Sequence, residues 1–588
     1  MASFLAELIR RNVFRSAALY LAAAWLVLQV ADLVLDAFNG SPTIMRGLIV
    51  AFTIGFPVFV LVSWFYDLRG TRLVKDTGRP NDASRGLSSR AVNATIVILV
   101  ILAAGIFSYS QIQSNPDPVS VEAPPSAVAD SGTTIAILPF ANISNDPADE
   151  YLADGMTEEL LNVLISVPQL RVTARASSFA FGNDQKDVRT IGKQLGVGHV
   201  IEGSVRKEGD ELRIAVQLVS TSTGQSLWSA IYDRTLSQIF DVQKDIAERV
   251  SGTLQLSLFS DPAPIIRRTS PEAYTAYLRA LHQYRTGGRD NYAEAVTNLE
   301  TALELDDQYA PAWTLLSSVR QNQTVIGAVD YAEGHEMARE YIERALAIDS
   351  NYAYAISSRA WLAMSYERDF VLAARYFRRA LELAPNDAAI LSNQAVLARL
   401  LGRIDRAIEL TNRSIAQNPL SGSAFSNLSD QMYQGRRYAD AIDSARRALQ
   451  LAPGSPNAIV NLAVTQIFAE DPAAALQTIA AYELPFYSLF VKALAHYDLG
   501  DLPSADAALG TLTDEYADER AAYIAAIHAH RGNTDDAFAW LQRAIDERQR
   551  TLAMRTDPLF ENLHDDARWQ RVLEQLGLSE QQVAGIEI

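Results

Sequence analysis

The chain contains no cysteine among its 588 residues. This absence excludes disulfides, thiolate metal sites and cysteine nucleophiles. Histidine is scarce as well, and the seven histidines include no pair at the i, i+4 spacing that would place two imidazoles on one face of a helix. We therefore expect no metal site.

Catalytic motifs are also missing. No glycine-rich phosphate loop, HExxH or GxSxG occurs at a strand-to-helix junction. Asp154, Glu158, Glu159 and His199 form the one set that suggests general acid–base chemistry. Three of the four lie on or beside a single predicted helix, near its N-terminal end, where acidic side chains have a structural use. We predict no catalytic residue, no cofactor-binding residue and no enzymatic activity.

Positive charge is in deficit. Lys and Arg total 51 against 69 Asp and Glu, a net charge of −18, whereas residues 1–110 carry ten basic and six acidic residues. The acidic remainder argues against a nucleic-acid partner, because phosphates need a basic surface.

Three long apolar runs lie in the N-terminal region, at residues 17–35, 47–66 and 91–109. Each has about the ~20 residues that a helix needs to cross a bilayer. We therefore predict a membrane domain over 1–109 with three transmembrane helices and the lipid bilayer as a partner. Asp32 lies in the first run, where it marks either a proton path or, as we prefer, an interfacial or helix–helix contact.

The basic residues of this region set the expected orientation. Residues 67–90 carry six Lys or Arg, and residues 110–132 carry none. The positive-inside rule then places the N-terminus and the 67–90 loop in the cytoplasm. Residues 110–588 are accordingly expected in the periplasm, with the chain a multi-pass protein of the bacterial inner membrane.

A proline-rich linker is expected at 110–132, followed by a small domain at 133–258. Short apolar runs predict strands at 133–140, 170–173, 200–206, 212–219 and 226–232. Runs with helical spacing predict helices at 149–165, 188–195 and 239–256. Because the last three strands form an antiparallel tail, we expect an α+β domain with a mixed sheet.

The same segment resembles a known family. The residues that carry the resemblance read AILPFANISNDPADEYLADGMTEELLNVL and GVGHVIEGSVRKEGDELRIAVQLVSTSTGQSLWSAIYDR. They are similar to the TolB amino-terminal-like or FlgO-like domain of bacterial membrane-anchored tetratricopeptide proteins. The resemblance implies an envelope location and protein binding. In similar chains a nucleotide cyclase or a winged-helix domain can occupy the N-terminus, where this chain has its apolar runs.

A period of 34 residues organises the second half. Small residues, prolines and asparagines recur at this interval: Ala373, Ala407, Ala441 and Ala475; Pro385, Pro419 and Pro453; Asn393, Asn427 and Asn461. This period is typical of tetratricopeptide repeats, in which helix pairs stack because neither helix can bury its apolar face alone. We predict an all-α solenoid of about eight pairs over 270–556 and a helical cap over 557–588.

Such arrays bind a peptide or helix in a concave groove lined by the first helix of each pair. The candidate groove residues are Asn393, Asn427, Asn461, Arg399, Asp430, Tyr433 and Gln434. We call Asn393, Asn427 and Asn461 the asparagine column. An amide side chain both donates and accepts hydrogen bonds, so this column suits a peptide backbone. The alternative is that these asparagines only support the fold of the repeat.

The sequence thus favours a non-enzymatic, membrane-anchored scaffold that binds a protein or peptide partner of the cell envelope. One alternative is a transmembrane signalling component that couples partner binding to a cytoplasmic enzyme. A remote alternative is an enzyme within 133–258. The partner's identity and the oligomeric state stay open.

Overall fold

The computed structural model describes two parts of the chain. In the N-terminal unit, Met1–Ala129, it describes Leu28, Phe52 and residues 66–69 and 72–75. The second unit, Asp130–Ile588, is described far more fully. Its described residues are 133–254 without 145, 166, 168 and 183–186; 256; 267–547; 549; and 554–588.

The predicted transmembrane helices require a correction. Within the described residues no helix is long and apolar enough to cross a membrane. The fold class with three transmembrane helices is therefore wrong on this point, and so is the multi-pass inner-membrane location derived from it. Tyr66, the last residue of the second predicted span, belongs to a strand. Apart from Leu28, Phe52 and Tyr66, the three ranges lie outside the described residues, as do Asp32 and the linker at 110–132.

Strands β1 (Tyr66–Arg69) and β2 (Arg72–Lys75) form an antiparallel hairpin in the N-terminal unit. Tyr66 pairs with Lys75 and Arg69 with Arg72, which leaves two residues to connect the strands. Two-residue connections are the commonest in hairpins. The hairpin lies in the basic stretch that we expected to be a cytoplasmic loop.

A mixed sheet begins the second unit, and we call the residues from 133 to 254 the sheet domain. Its strands are β3 (Thr133–Ile137), β4 (Ala141–Asn142), β5 (Leu170–Val172), β6 (His199–Glu208), β7 (Glu211–Ser220) and β8 (Ser226–Thr235). Its helices are α1 (Glu150–Ile165), α2 (Arg175–Phe179), α3 (Val188–Leu195) and α4 (Ile239–Thr253).

The sheet runs β5-β3-β6-β7-β8, and β4 also pairs with β6. Strand β3 is parallel to β5 and β6, whereas β6, β7 and β8 form an antiparallel meander. Alternate residues of β3 face opposite sides. Ile135 and Ile137 join the buried cluster with α1 and α4, and Ala136 joins the cluster that includes Ile191 of α3.

The solenoid follows as a series of antiparallel helices between residues 271 and 546. They are α5 (Pro271–Thr286), α6 (Arg289–Leu305), α7 (Ala310–Val325), α8 (Tyr331–Ile348), α9 (Ala353–Leu362), α10 (Phe370–Leu383), α11 (Ala388–Leu400), α12 (Ile404–Gln417), α13 (Gly422–Gln434), α14 (Tyr438–Leu451), α15 (Pro456–Phe468), α16 (Pro472–Ala480), α17 (Pro485–Asp498), α18 (Leu502–His530) and α19 (Thr534–Asp546). Helix α18 combines two helices, because Arg520 inside it has non-helical dihedrals.

The 34-residue period has two structural causes. Ala373, Ala407, Ala441 and Ala475 are all fully buried, and a small side chain at such positions lets neighbouring helices pack. The turns within the pairs also repeat one backbone conformation. Arg368, Gly402, Arg436 and Glu470 have φ between 56° and 75° at this same interval. Three of these four are not glycine, so helix packing imposes the left-handed turn even on residues that disfavour it.

A C-terminal segment, residues 554–588, completes the described chain. It contains a 3₁₀ helix (Pro558–Leu563), α20 (Ala567–Gln575) and α21 (Glu580–Val583). Phe560 and Leu563 are fully buried in the same cluster as Met364, Met432 and Leu541. The segment therefore packs on the solenoid and shares its hydrophobic core.

Candidate functional site

The first helices of the pairs form the inner layer of the solenoid. Helix α13 packs directly against α11 and α15, the first helices of the neighbouring pairs, while successive second helices pack less closely. In a curved stack the layer with the closer helices is the concave one. All seven predicted groove residues belong to α11, α13 or α15.

The asparagine column divides into two kinds of residue. Asn461 Nδ2 donates a hydrogen bond of 2.9 Å to the Ser426 carbonyl oxygen of the preceding first helix. This bond ties α15 to α13, the first helix of the preceding pair. Asn393 and Asn427 are half-buried, and neither side chain makes a hydrogen bond to another described residue. Their amides therefore keep their donors and acceptors available on the inner layer.

Arg399 and Asp430 join two neighbouring first helices. Arg399 Nη1 lies 3.0 Å from Asp430 Oδ2, and both side chains are largely buried. Gln434 Nε2 also donates to Asp430 Oδ1, at 3.2 Å. Since Asp430 follows Asn427 by three residues, the two lie on the same face of α13. The ion pair thus lies beside the free amide of Asn427 and fixes α11 against α13.

Tyr433 and Gln434 contact the C-terminal segment. The Tyr433 hydroxyl donates to Asp557 Oδ1 at 2.9 Å, and Gln434 Oε1 accepts from the Thr556 hydroxyl at 2.7 Å. Both side chains are buried. The structure therefore gives these two predicted groove residues a partner within the chain. Sequence reasoning did not find this contact, because it joins residues more than 120 positions apart and follows no repeat.

Burial changes the ionisation of this contact. It raises the pKa of Asp557 to about 6, against the lowering effect of hydrogen bonds from the Leu559 N–H and from Tyr433. Burial also raises the pKa of Tyr433 well above its usual value, and the Asp557 carboxylate adds to this effect. Tyr433 is consequently neutral and stays a hydrogen-bond donor to Asp557 over the physiological range.

A second cluster of polar residues joins the sheet domain to the solenoid. Glu158 on α1 pairs with Arg175 at 3.0 Å and accepts a hydrogen bond from Arg285 on α5. His282 Nδ1 lies 3.3 Å from Asp154 Oδ2, and the Tyr354 hydroxyl donates to Asn162 at 3.2 Å. Glu158 and Glu159 lie in the middle of α1 and not at its N-terminal end, so the helix dipole does not account for them. The structure adds their partners, which lie on the solenoid.

Close approach of backbones accompanies these polar contacts. A Cβ atom on Gly155 of α1 would lie 2.5 Å from Leu278 Cδ2 of α5, well inside van der Waals contact. Tyr274 and Leu278 of α5 also share one buried cluster with Met156 and Ile246 of the sheet domain. The sheet domain and the first helices of the solenoid therefore form one continuous core.

Glu159 is the unusual acid of this interface. Burial raises its pKa to about 7, and the neighbouring Glu158 carboxylate adds to the shift. Weak hydrogen bonds from Asn162 at 3.4 Å and Tyr277 at 3.5 Å oppose it. Near neutral pH this carboxyl is thus partly protonated. Among the residues described, Glu159 belongs to no group of three or more side chains that could hold a metal ion.

Family models match both halves of the second unit. Residues 131–249 match the family described as HilA/YgeH-like transcriptional regulator, second domain. This description differs from the TolB amino-terminal-like or FlgO-like resemblance, which stays a prediction. Residues 365–421, 402–456 and 490–550 match the tetratricopeptide repeat.

A curated relative covers part of the chain. The protein of Rhizobium meliloti (strain 1021) named "Putative adenylate cyclase 3" is 35% identical over 219 residues. The match covers 36% of this chain and 37% of that protein. The chain therefore spans little more than a third of the length of this relative.

Solved structures also resemble part of the chain. The structure described as "Functional Characterization of Pseudomonas Aeruginosa pilF" has 20% identity and a TM-score of 0.30, covering 36% of this chain and 93% of its own. The structure described as "Crystal structure of PilW, widely conserved type IV pilus biogenesis factor" has 16% identity and a TM-score of 0.29. The match covers 43% of this chain and 96% of that structure's chain. The family match and the observed helix pairs both show that this chain carries tetratricopeptide repeats.

Proposed function

We propose that this chain is a non-enzymatic scaffold whose solenoid binds a protein or peptide partner on its inner layer. Tetratricopeptide repeats are a protein-binding architecture, because stacked helix pairs create an extended concave surface. The observation that carries the proposal is the pair of free amides, Asn393 and Asn427, one repeat apart on α11 and α13.

The spacing of these amides suits an extended peptide. Packed helices lie about 8–10 Å apart, and an extended chain rises about 3.3 Å per residue. Amides on neighbouring first helices can therefore hydrogen bond to the backbone at about every third residue of a bound peptide. The proposed binding surface on α13 ends at Tyr433 and Gln434, because the C-terminal segment covers these two residues.

The test is substitution of the free amides. In the full chain, the double variant Asn393→Ala with Asn427→Ala should lose captured partner proteins in a quantitative pull-down while its unfolding temperature stays unchanged. Asn461→Ala is the matched control. It removes the bond to Ser426, so it should cost about 1 kcal/mol of stability and leave capture intact. Equal capture by wild type and the double variant would refute the proposed site.

A second candidate is a signalling component that couples partner binding to a separate enzyme. The observation in its favour is the relative named as an adenylate cyclase, most of which lies outside the match. Both candidates expect the full chain to form no cyclic AMP from ATP and Mg²⁺. Formation of cyclic AMP by the purified chain would overturn both and make the protein an enzyme.

A further inference from the structure

Strand β8 ends the sheet with a long open edge. It is ten residues long and pairs with β7 from Glu211↔Thr235 to Val219↔Ser226. No strand among the described residues pairs with its other side. Along this side the backbone N–H and C=O groups of β8 have no strand partner among the described residues, and such a row is a ready template for another strand.

The usual protections of an edge strand are missing from the middle of β8. The strand reads SLWSAIYDRT, with no lysine and no proline, and its charged residues are Asp233 and Arg234 near one end. A register shift interrupts the ladder near the other end, beside Leu218 and Val219. Natural proteins block exposed edges with lysine, proline, bulges or short strands. The stretch from Trp228 to Tyr232 has none of these.

An exposed apolar side chain lies within this stretch. Ile231 is 60% exposed, although Trp228, Ala230 and Tyr232 point to the other face and are at least half-buried. Ile231 lies on the outer face, where Ala215 of β7 is its cross-strand neighbour. A strand paired with this open edge would cover the Ile231 side chain.

We propose that β8 pairs antiparallel with β8 of a second copy of this chain, with Ile231 on the two-fold axis. In this register Ile231 packs on Ile231 of the second copy. Asp233 lies opposite Ser229, which can donate to its carboxylate, and Arg234 lies opposite Trp228, which favours a cation–π contact. No two like charges face each other, and the contact is self-complementary, as a two-fold interface requires.

The absence of cysteine makes the register directly testable. Directly opposed residues of an antiparallel pair have Cα atoms about 4.5–5.5 Å apart, within the range of about 4.4–6.8 Å that a disulfide spans. Full-length Ile231→Cys contains a single thiol and should form a covalent dimer on a non-reducing gel after mild oxidation.

Ala215→Cys is the matched control. Ala215 pairs with Ile231 in the ladder and faces the same side, but it lies one strand further in. Its counterpart in the second copy would be three strand spacings away, about 14 Å. This variant should form roughly tenfold less covalent dimer than Ile231→Cys, because the thiols cannot meet.

Light scattering of the unmodified full chain supplies the second test. Wild type should have about twice the mass of one 64.5 kDa chain at micromolar concentration. Ile231→Lys should have the mass of one chain, with an unchanged circular dichroism spectrum, because the side chain is exposed and the two lysines would repel. A monomeric wild type would overturn the proposal. So would a dimer that Ile231→Lys leaves intact or that Ile231→Cys fails to cross-link.

Discussion

At the residue scale, two acids with raised pKa values lie at contacts between distant parts of the chain. Glu159 and Asp557 are both acids whose pKa burial raises, to about 7 and about 6. Each lies where a distant part of the chain packs on the solenoid: Glu159 in the sheet domain and Asp557 in the C-terminal segment. A tyrosine hydroxyl contacts each carboxyl group, Tyr277 at Glu159 and Tyr433 at Asp557.

Glu159 makes stability depend on pH. Its folded-state pKa of about 7 exceeds the ordinary value of 4.5, so the folded protein binds the proton more tightly than the unfolded chain. The free energy of unfolding therefore falls as pH rises from about 4.5 to about 7. Glu159→Gln removes the ionisable group, so the free energy of unfolding of the variant should not show this fall. The variant should match wild type near pH 4.5 and exceed it by about 3 kcal/mol at pH 8.

Urea unfolding at pH 4.5, 6 and 8 measures this difference. Glu150→Gln is the control, since it removes one negative charge from an exposed position on the same helix, α1. A stability gain for Glu159→Gln that is equal at all three pH values would contradict the assignment.

At the scale of elements, helix α1 decides how the sheet domain meets the solenoid. The sequence predicts this helix well, because its apolar residues recur at helical spacing. Its partner could not be predicted, since no periodicity relates Glu158 to Arg285, 127 residues away. Gly155 is the residue that allows the close packing, and its importance follows only from the position of Leu278.

Gly155→Ala should therefore destabilise the protein, although alanine is the better helix former. The new methyl group would lie 2.5 Å from Leu278 Cδ2, in a side chain that is 1% exposed and has little room to move. Overpacking of this kind costs about 1–3 kcal/mol, and the unfolding temperature measures it.

Gly510→Ala should instead stabilise the protein. Gly510 lies inside α18, and a Cβ there would meet nothing within 4 Å. This variant should gain up to about 1 kcal/mol from helix propensity alone. If both alanine variants change stability in the same direction, packing against Leu278 is not the cause.

At the scale of the whole second unit, the C-terminal segment does more than cover the last repeat. Arg436 pairs with Glu561 at 3.2 Å, and Arg403 Nη2 donates to the Val583 carbonyl oxygen at 3.2 Å. Further back, Arg378 pairs with Glu587 at 3.0 Å. The segment thus returns along the solenoid from α18 to α10. The sequence suggests only a terminal helical cap over 557–588.

Deletion of residues 554–588 should accordingly loosen the middle of the solenoid. Hydrogen exchange should rise in α11 and α13, because Met432 and Tyr433 lose a buried contact with the segment. Helix α6 lies far from the segment in the order of helix pairs and should keep its protection. Faster exchange confined to α18 and α19 would mean that the segment acts only as an end cap.

The sequence by itself determined the repeat, its period and most strands and helices of the sheet domain, although it missed β4 and α2. These features depend on local spacing, so 34-residue recurrence and alternating burial are visible in one dimension. Apolar length alone, by contrast, misled us about the membrane spans, because a run of about 20 apolar residues does not specify what surrounds it. Tertiary structure alone decided which amides of the asparagine column stay free. It also decided that Tyr433 and Gln434 face the chain's own C-terminus and that β8 keeps an open edge. Such contacts join residues distant in sequence, and no spacing along the chain encodes them.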